Sequence, residues 1–271
     1  MYGLVAENRR RLFGDIEGFE LEHMQNLWPL LRGNWVAALG SELVGAAALS
    51  PVMSGVEVDI RFDARRRGIG TRLLQNVEDA ADPGVLRAFA VTLEEAASPF
   101  LRVNGYEKTS EVWLMGRDVS APIGQPVWAD GVSVRTFCED DASRLWALLD
   151  VSYADDPTND FPAFDDWRQF TLGDPSFDPE CWFLAEAGDQ LVGAAVNWND
   201  GYVKDLVVHP AWRRRGLGEA LMRHTFRHFV ARGLPRVTLK TDSTNPTQAW
   251  RLYERLGMRK ERTYEVFHKR L

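Results

Sequence analysis

The feature that most constrains this chain is an internal repeat. Residues 42–48 and 190–195 read ELVGAAA and QLVGAA, and residues 65–70 and 213–218 read RRRGIG and RRRGLG. Both matches have the same separation of 148 positions, as the difference between 213 and 65 shows. Unrelated matches would not share one separation, and a period of this length is typical of a duplicated domain rather than a solenoid of short repeats. The sequence therefore predicts two copies of one fold.

The two copies are joined by a segment that does not read as regular structure. Residues 118–130, DVSAPIGQPVWAD, contain two prolines and a glycine, which interrupt helices and strands. We expect a first domain over residues 1–117, a linker over residues 118–130 and a second domain over residues 131–271. Each domain is long enough to bury its own core.

Composition and charge narrow the class of protein. With 45% hydrophobic and 26% charged residues, the 271-residue chain has the profile of a soluble globular protein. No stretch approaches the roughly 18 apolar residues of a membrane span, and no apolar signal segment opens the sequence. The net charge of −7 disfavours a surface that binds nucleic acid. Cys138 and Cys181 form no metal or redox motif, so we expect buried thiols in a cytoplasmic protein.

Periodicity predicts a mixed sheet in the second half. VSVRTF, residues 132–137, alternates as a strand, and an apolar-periodic helix follows the acidic residues after it. Two strands flank the turn signal Gly188-Asp189 and are predicted to form a hairpin. VKDLVVHP is a further strand, and a helix runs from the RRRGLG segment to Gly233. Another strand, a helix and a closing strand, EVFHKRL, complete the pattern.

The segment between the VKDLVVHP strand and the next helix has the character of an anion-binding loop. Gly216 and Gly218 allow positive φ and close backbone approach, and the helix start offers unpaired N–H groups to a phosphate. A Walker A loop needs Lys-Ser/Thr after its last glycine, and Glu219-Ala220 follows here. A dinucleotide fingerprint needs a third glycine, which is absent. The alternative is a tight turn beside solvated arginines.

Several motifs together carry a family resemblance. LVVHP, the loop Arg213-x-x-Gly216-x-Gly218, and the later Asn245…Ala249…Tyr253…Gly257-Met258 resemble the GNAT superfamily of acyl-CoA N-acyltransferases. The resemblance covers residues 131–271. It implies an α/β (α+β) fold in which each of two tandem GNAT-like domains has a mixed, mostly antiparallel central sheet flanked by helices.

The resemblance also implies a binding site for acetyl-CoA as co-substrate. The loop would hold the pyrophosphate, the strand before it would pair with the pantetheine arm, and one N–H group of that strand would polarise the thioester carbonyl. An asparagine would contact the pantetheine, and a tyrosine would lie near the sulfur. The implied cofactor-binding residues are Leu206, Val207, Val208, Arg213, Arg214, Arg215, Gly216, Leu217, Gly218, Glu219, Asn245 and Tyr253.

Two side chains are candidates for the chemistry. Tyr253 matches the position of a general acid that protonates the leaving thiolate, a role typically worth about 10²–10⁴ in rate. The alternative is a packed aromatic on an amphipathic helix. Asp205 could accept a proton from the acceptor amine, directly or through water, or bind it as an ammonium. The alternative for Asp205 is a surface carboxylate on a strand edge.

The acceptor site is expected in the acidic and aromatic stretch of residues 155–180. Asp165, Asp166 and Trp167 could select a cationic amine by charge and cation–π contact, and a solvated acidic loop is the alternative. His224 and His228 are spaced as metal ligands on a helix, but no third ligand is evident. No metal is therefore expected.

The first copy departs from the family pattern. Leu101 stands where Tyr253 stands in the second copy, and no asparagine equivalent precedes it. Residues 1–117 therefore read as a degenerate copy that binds a nucleotide thioester, braces the active half or lines the acceptor site. Its loop still leaves a second CoA site open at Arg65, Arg66, Arg67, Gly68, Ile69 and Gly70.

An active half beside a degenerate half is similar in arrangement to the mycothiol synthases, which are tandem GNAT enzymes. No residue of this sequence fixes their substrate here. The function expected is transfer of an acetyl group from acetyl-CoA to a small cationic primary amine in a ternary complex. A non-catalytic acyl-CoA-binding module and an N-acetyltransferase of proteins or peptides are the alternatives. We expect a cytoplasmic monomer or homodimer without nucleic-acid or membrane partners.

Overall fold

The structure is a computed structural model that describes residues 4, 7, 8, 11, 32–50, 55–155 and 161–271. The chain divides into two compact units. The first consists of Met1–Glu111 and Thr263–Leu271, and the second of Val112–Arg262. The second domain expected from the sequence included the C-terminal residues that belong to the first unit here, and its boundaries stay a prediction.

The first unit is built on a mixed sheet in the order β1-β2-β3-β4-β11. All neighbouring pairs are antiparallel except β3 and β4, which are parallel. The C-terminal strand reaches this sheet by pairing with β4, from Tyr264 opposite Val91 to Arg270 opposite Val85. The strands are β1 (Arg32–Leu39), β2 (Glu42–Ser50), β3 (Gly55–Ile60), β4 (Val85–Val91) and β11 (Arg259–Arg270).

The second unit has the same design, with the order β5-β10-β9-β8-β7-β6. Here β9 and β10 are the parallel pair, and the other neighbours are antiparallel. The predicted hairpin is confirmed, with Gly188 at a φ of 59° in its turn. The strands are β5 (Glu107–Asp118), β6 (Val132–Thr136), β7 (Phe183–Ala187), β8 (Gln190–Asn197), β9 (Tyr202–Val208) and β10 (Arg236–Asp242).

Helices flank each sheet, which confirms the predicted fold class. The first unit contains α1 (Ile69–Ala80) and α2 (Ala97–Val103), and the second contains α3 (Ala142–Tyr153), α4 (Phe164–Leu172), α5 (Leu217–Ala231) and α6 (Ala249–Arg255). The α4 helix lies in the stretch expected to be an acidic loop or acceptor pocket. Among the described residues, no helix is long and apolar enough to cross a membrane.

Each unit has its own core between sheet and helices. In the first unit, α1 contributes Leu73, Leu74 and Val77, and the C-terminal strand contributes Phe267. In the second, α5 packs Leu217 and Leu221 against β7 and β8. Because these helices are amphipathic with apolar residues at three- and four-residue spacing, they bury one face and fix where their N-termini lie.

Candidate active site

The two parallel strands of each unit separate soon after they meet. In the second unit, β9 and β10 pair only at Tyr202 with Thr238 and at Val203 with Leu239. In the first, β3 and β4 pair only at Gly55 with Arg87 and at Val56 with Ala88. The remainder of β9 and of β3 is thus open on the side of its parallel neighbour, within the described part of the chain.

The open side of β9 presents main-chain hydrogen-bonding groups. The His209 N–H donates to the Val192 carbonyl on β8, 3.0 Å away. Because main-chain groups alternate in direction along a strand, Val207 and Asp205 also face β8, whereas Leu206 and Val208 face the opening. An extended ligand could therefore add to β9 as a strand would.

The loop after β9 leads directly into α5 through a glycine in the left-handed region. Gly216 has a φ of 79° and caps α5 without a side-chain hydrogen bond. The first intrahelical bond runs from the Ala220 N–H to the Gly216 carbonyl, at 3.0 Å. The preceding N–H groups of the first turn have no acceptor among the described residues, so they are available to an anion.

Arg213 supports this loop from within. Its guanidinium donates to the Val208 carbonyl at 3.2 Å and to the Ser152 carbonyl at 2.9 Å, and it pairs with Asp155. Arg213 is therefore less available to a pyrophosphate than expected from the sequence, because its guanidinium already binds two carbonyls and the Asp155 carboxylate. Arg214 has a φ of 62°, a strained conformation that is typical of ligand-binding loops. Arg214 and Arg215 are exposed.

At Gly218, the start of α5 packs closely against α6 and β9. A Cβ atom on Gly218 would lie 3.3 Å from Leu252 Cδ2 and 3.9 Å from Val208 Cγ2. A glycine at this position lets the helix start approach both elements. Asn245 lies in the turn before α6, where its Oδ1 accepts from the Thr247 N–H at 2.9 Å. Its Nδ2 has no partner among the described residues.

Tyr253 lies on α6 and is 6% exposed. Its hydroxyl makes no hydrogen bond to any residue that the structure describes. Burial, and to a lesser degree the nearby Asp205 carboxylate, raise the pKa of its phenol above the usual value of 10.0. The phenol is therefore protonated at neutral pH and can donate a proton or a hydrogen bond.

Asp205 is a buried carboxylate rather than a surface one, with 9% exposure. Tyr153 donates a hydrogen bond to its Oδ1 at 2.7 Å, and the Lys204 ammonium lies 2.7 Å from its Oδ2. Burial and then Asp205 raise the pKa of the Tyr153 phenol. Neither partner was predicted from the sequence, because Tyr153 is 52 residues away and Lys204 would point to the opposite face in a regular strand.

The three residues expected at the acceptor site do not share one surface. Asp165 and Asp166 are exposed in the first turn of α4, whereas Trp167 is 2% exposed. The Trp167 ring stacks on Phe164 at 6.2 Å and lies 6.5 Å from Trp182. Helical geometry explains the separation, because adjacent helical residues point in different directions.

The first unit repeats the loop geometry in detail. Arg66 and Gly68 have φ values of 62° and 77°, and Arg65 donates to the Ile60 carbonyl at 3.1 Å and pairs with Glu94 at 2.7 Å. A Cβ on Gly70 would lie 3.3 Å from Phe100. The main-chain contact of the arginine and the close approach of the glycine match those of the second-unit loop. The acidic partner differs, because Glu94 follows β4 whereas Asp155 follows α3.

A cavity of about 390 Å³ lies at this first-unit loop. Its walls are largely apolar, with Ile60, Ile69, Phe100 and Val103 among them. At the position that corresponds to Tyr253, Leu101 is 6% exposed and packs in the core. The Tyr106 N–H donates to its carbonyl just as the Met258 N–H donates to that of Tyr253, which confirms this correspondence.

A second-unit cavity of about 460 Å³ lies on the outer side of the Gly216 loop. Arg215 and Arg223 contribute positive charge to its lining, and Trp128 contributes an aromatic ring. Arg223 is also paired with Glu219 at 2.8 Å. The cavity is thus a polar recess beside the N-terminus of α5.

The histidines and cysteines have other surroundings. His224 and His228 lie against Phe183, and burial lowers the pKa of both imidazoles. No group of three or more candidate ligands within the described ranges could hold a metal ion.

Cys181 is buried, but Cys138 is exposed, so the expectation of two buried thiols was wrong for Cys138. The cause is its position at the edge of β6, at the start of a short helical turn.

Comparison with known proteins agrees with this geometry. The sequence model of the Acetyltransferase (GNAT) family matches residues 4–106 and again residues 142–258. A mycothiol acetyltransferase of Thermobispora bispora is 34% identical over 244 residues, which cover 85% of this chain and 81% of the relative. One of Acidothermus cellulolyticus is 33% identical, covering 87% and 78%.

Solved structures show the same architecture. A GCN5-related N-acetyltransferase from Sphaerobacter thermophilus superposes with a TM-score of 0.79 at 23% identity, covering 99% of this chain and 91% of its own. A tandem GNAT protein from the clavulanic acid biosynthesis pathway gives 0.67 at 17% identity, covering 92% and 87%. The chain therefore belongs to the GNAT family, as an acyl-CoA-dependent acetyltransferase with two GNAT repeats.

Proposed function

We propose that the second unit transfers the acetyl group of acetyl-CoA to the primary amine of a small molecule, with both substrates bound at once. The observation that carries this proposal is the Tyr253 phenol, whose hydroxyl bonds to no described residue and whose pKa is raised by burial and then by the Asp205 carboxylate, in a unit whose β9 edge is open to an extended ligand. A protein that only bound acyl-CoA would have no need of a proton donor there.

Several groups of the second unit would suit acetyl-CoA. The N–H groups at the start of α5 and the positive end of its dipole suit a pyrophosphate, with roughly 0.3–1 kcal/mol from the dipole alone. The Leu206 and Val208 main-chain groups suit the amides of a pantetheine arm. The unpartnered Nδ2 of Asn245 offers a further donor, and the recess at Arg215 and Trp128 suits the nucleotide end.

The reaction needs a neutral amine, a polarised carbonyl and a protonated leaving group. The amine nitrogen attacks the thioester carbonyl carbon, the C–N bond forms, the C–S bond breaks and the thiolate takes a proton. A main-chain N–H on the open edge of β9 would stabilise the developing oxyanion. Tyr253 would supply the proton to the thiolate, and Asp205 would receive or orient the proton that leaves the amine.

The first unit is proposed to hold a second nucleotide thioester without turning it over. Its loop from Arg65 to Gly70 repeats the strained and left-handed residues of the second loop, and a cavity lies against it. Leucine has no proton to give, so Leu101 leaves the site without an acid. A ligand bound there would raise the free energy of unfolding, because it binds the folded chain and not the unfolded one. It would take no part in the reaction.

A small acceptor is favoured over a protein. The two curated relatives are named mycothiol acetyltransferases, which supports a small-molecule acceptor in this chain also. Asp165 and Asp166 remain candidates for contact with a cationic acceptor, because they are exposed on one turn of α4. Trp167 is not proposed for this role, since its ring is buried.

The proposal is tested by titrating acetyl-CoA into the purified chain and then by measuring thiol release. We expect two binding sites per chain, and thiol release that depends on a small primary amine, with the unacetylated form of mycothiol among those offered. An absence of binding at millimolar acetyl-CoA would contradict the proposed site. Thiol release with peptides but not with free amines would contradict the acceptor class.

A further inference from the structure

Lys204 occupies an irregular position in β9. Asn197 pairs with Val203 and Val196 pairs with Asp205, so Lys204 is an extra residue at a β-bulge. Bulges redirect side chains relative to a regular strand and are common next to active sites. This one brings the Lys204 ammonium to 2.7 Å from the carboxylate of the next residue, Asp205.

The Lys204 ammonium lies in surroundings that would bind any primary ammonium. One neighbour is Oδ2 of Asp205, whose other oxygen is fixed by Tyr153 at 2.7 Å. Another is the Trp198 ring, whose centroid is 5.9 Å away and which is 1% exposed. A carboxylate and an aromatic face are the groups that recognise a protonated amine. The chain thus places its own ammonium where a protonated acceptor would sit.

We propose that Lys204 occupies the ammonium position beside Asp205 and thereby makes the second unit bind its acceptor as the neutral amine. The inference rests on the proposed function, since it concerns the acceptor of that reaction. A positive charge within about 4–6 Å disfavours the protonated form of a neighbouring amine. Only the neutral form has the lone pair that attacks a thioester, so the proton leaves to solvent before the C–N bond forms.

The other titratable groups near this pair are three tyrosine phenols and one ion pair. The phenols of Tyr153 on α3 and Tyr253 on α6 face Asp205, and burial followed by Asp205 raises the pKa of both. Tyr202 lies on the same strand. Arg213 is paired with Asp155, which follows the end of α3. A change at Lys204 therefore alters the charge next to the acceptor more directly than a change at these neighbours.

The test compares Lys204→Met with Lys204→Arg, which keeps the positive charge, and with Lys260→Met as a matched loss of a lysine on the C-terminal strand. The pH dependence of kcat and of the acceptor KM is measured with one small primary amine at saturating acetyl-CoA. For Lys204→Met we expect a lower acceptor KM at pH 7, because the ammonium then pairs with Asp205. We also expect kcat at pH 7 to fall about tenfold and its acidic limb to move up by about one pH unit.

In Lys204→Arg and Lys260→Met, the acidic limb of the pH dependence of kcat should stay where it is in the wild type. Lys204→Gln should move the limb as Lys204→Met does, which keeps the test usable if the methionine variant folds poorly. An unmoved acidic limb in an uncharged variant that folds and binds acetyl-CoA normally would overturn the inference. If the wild type releases no thiol with any amine, the proposed function fails instead, and the two failures are thereby distinguished.

Discussion

At the scale of single residues, Tyr253 and Asp205 owe their properties to what surrounds them. Burial keeps the Tyr253 phenol protonated, and two donors hold the Asp205 carboxylate in place. The family resemblance singled out both positions from the sequence, and their roles in catalysis stay predictions. Their burial and partners could not, because those depend on residues far apart in the chain.

Replacing Tyr253 with phenylalanine tests the acid. We expect kcat to fall about 100-fold or more, the range for loss of a general acid, while the dissociation constant of acetyl-CoA stays within about twofold. Steady-state thiol release and calorimetry measure the two quantities. Tyr106→Phe in the first unit is the matched control and should leave turnover intact. Unchanged turnover in Tyr253→Phe would remove this residue from the mechanism.

Replacing Tyr153 with phenylalanine tests the support of Asp205. The variant loses the 2.7 Å hydrogen bond to Oδ1, and hydrogen bonds to charged groups are worth about 1.5–3 kcal/mol. We expect about a tenfold fall in kcat over the acceptor KM, since a misplaced group weakens catalysis more than it weakens folding. The affinity for acetyl-CoA should not change. An equal loss of acetyl-CoA binding would indicate a general collapse of the site instead.

At the scale of elements, the pattern of glycines and apolar residues could predict most of the second unit. The hairpin at Gly188-Asp189, the strand that ends near Val208 and the helix that begins after Gly216 lie where periodicity and turn residues put them. Helix α4 was missed, because its acidic residues and flanking prolines are equally typical of a loop. Its helical state depends on the burial of Trp167, which is a tertiary effect.

The edge strand β6 is tied to the start of α3 by one buried carboxylate. Arg135 donates to both Asp141 oxygens at 2.6 Å, and the Cys138 N–H donates to one of them at 2.9 Å. Arg135, followed by the Cys138 groups, holds the pKa of Asp141 well below its usual 3.8, although burial opposes this. The stability that results is present above pH 3.8 and is lost as the pH falls through the lower pKa of the folded state.

Asp141→Asn should therefore lower the free energy of unfolding by about 2–3 kcal/mol at pH 7. The difference from the wild type should shrink below pH 4, because the unfolded wild-type carboxyl then takes up a proton that the folded one, with its lower pKa, does not. Chemical denaturation as a function of pH measures this. Glu139→Gln, at an exposed residue of the same turn, should have little effect. A difference that stayed constant down to pH 3 would contradict the assignment.

At the scale of the whole molecule, two units share one design but differ at the position of the proposed proton donor, which is Leu101 in the first unit and Tyr253 in the second. The repeat could be predicted from the sequence, as could the loss of a proton donor at Leu101. The assignment of residues 263–271 to the first unit was not predicted. A strand pairs through its main chain, so the side chains of the closing strand do not specify its neighbour. The geometry retained by the first loop is seen in its backbone angles and in the hydrogen bond from Arg65 to the Ile60 carbonyl.

Catalysis is proposed to belong to the second unit. Gly68 and Gly216 are matched helix caps, with φ values of 77° and 79°. Apart from its chain neighbours and its own helix, an added Cβ at either position would meet no described atom within 4 Å. A glutamate at either position adds a negative charge where an anion is expected to bind. Gly216→Asn controls for strain, because asparagine tolerates the left-handed region without adding charge.

The most direct measurement is amine-dependent thiol release by Gly216→Glu and by Gly68→Glu at subsaturating acetyl-CoA. We expect Gly216→Glu to lose at least about 100-fold in kcat/KM for acetyl-CoA, since several anion contacts fail together. Gly68→Glu should stay within about twofold of the wild type, because no acid follows that loop. Full activity in Gly216→Glu together with inactivity in Gly68→Glu would contradict the account.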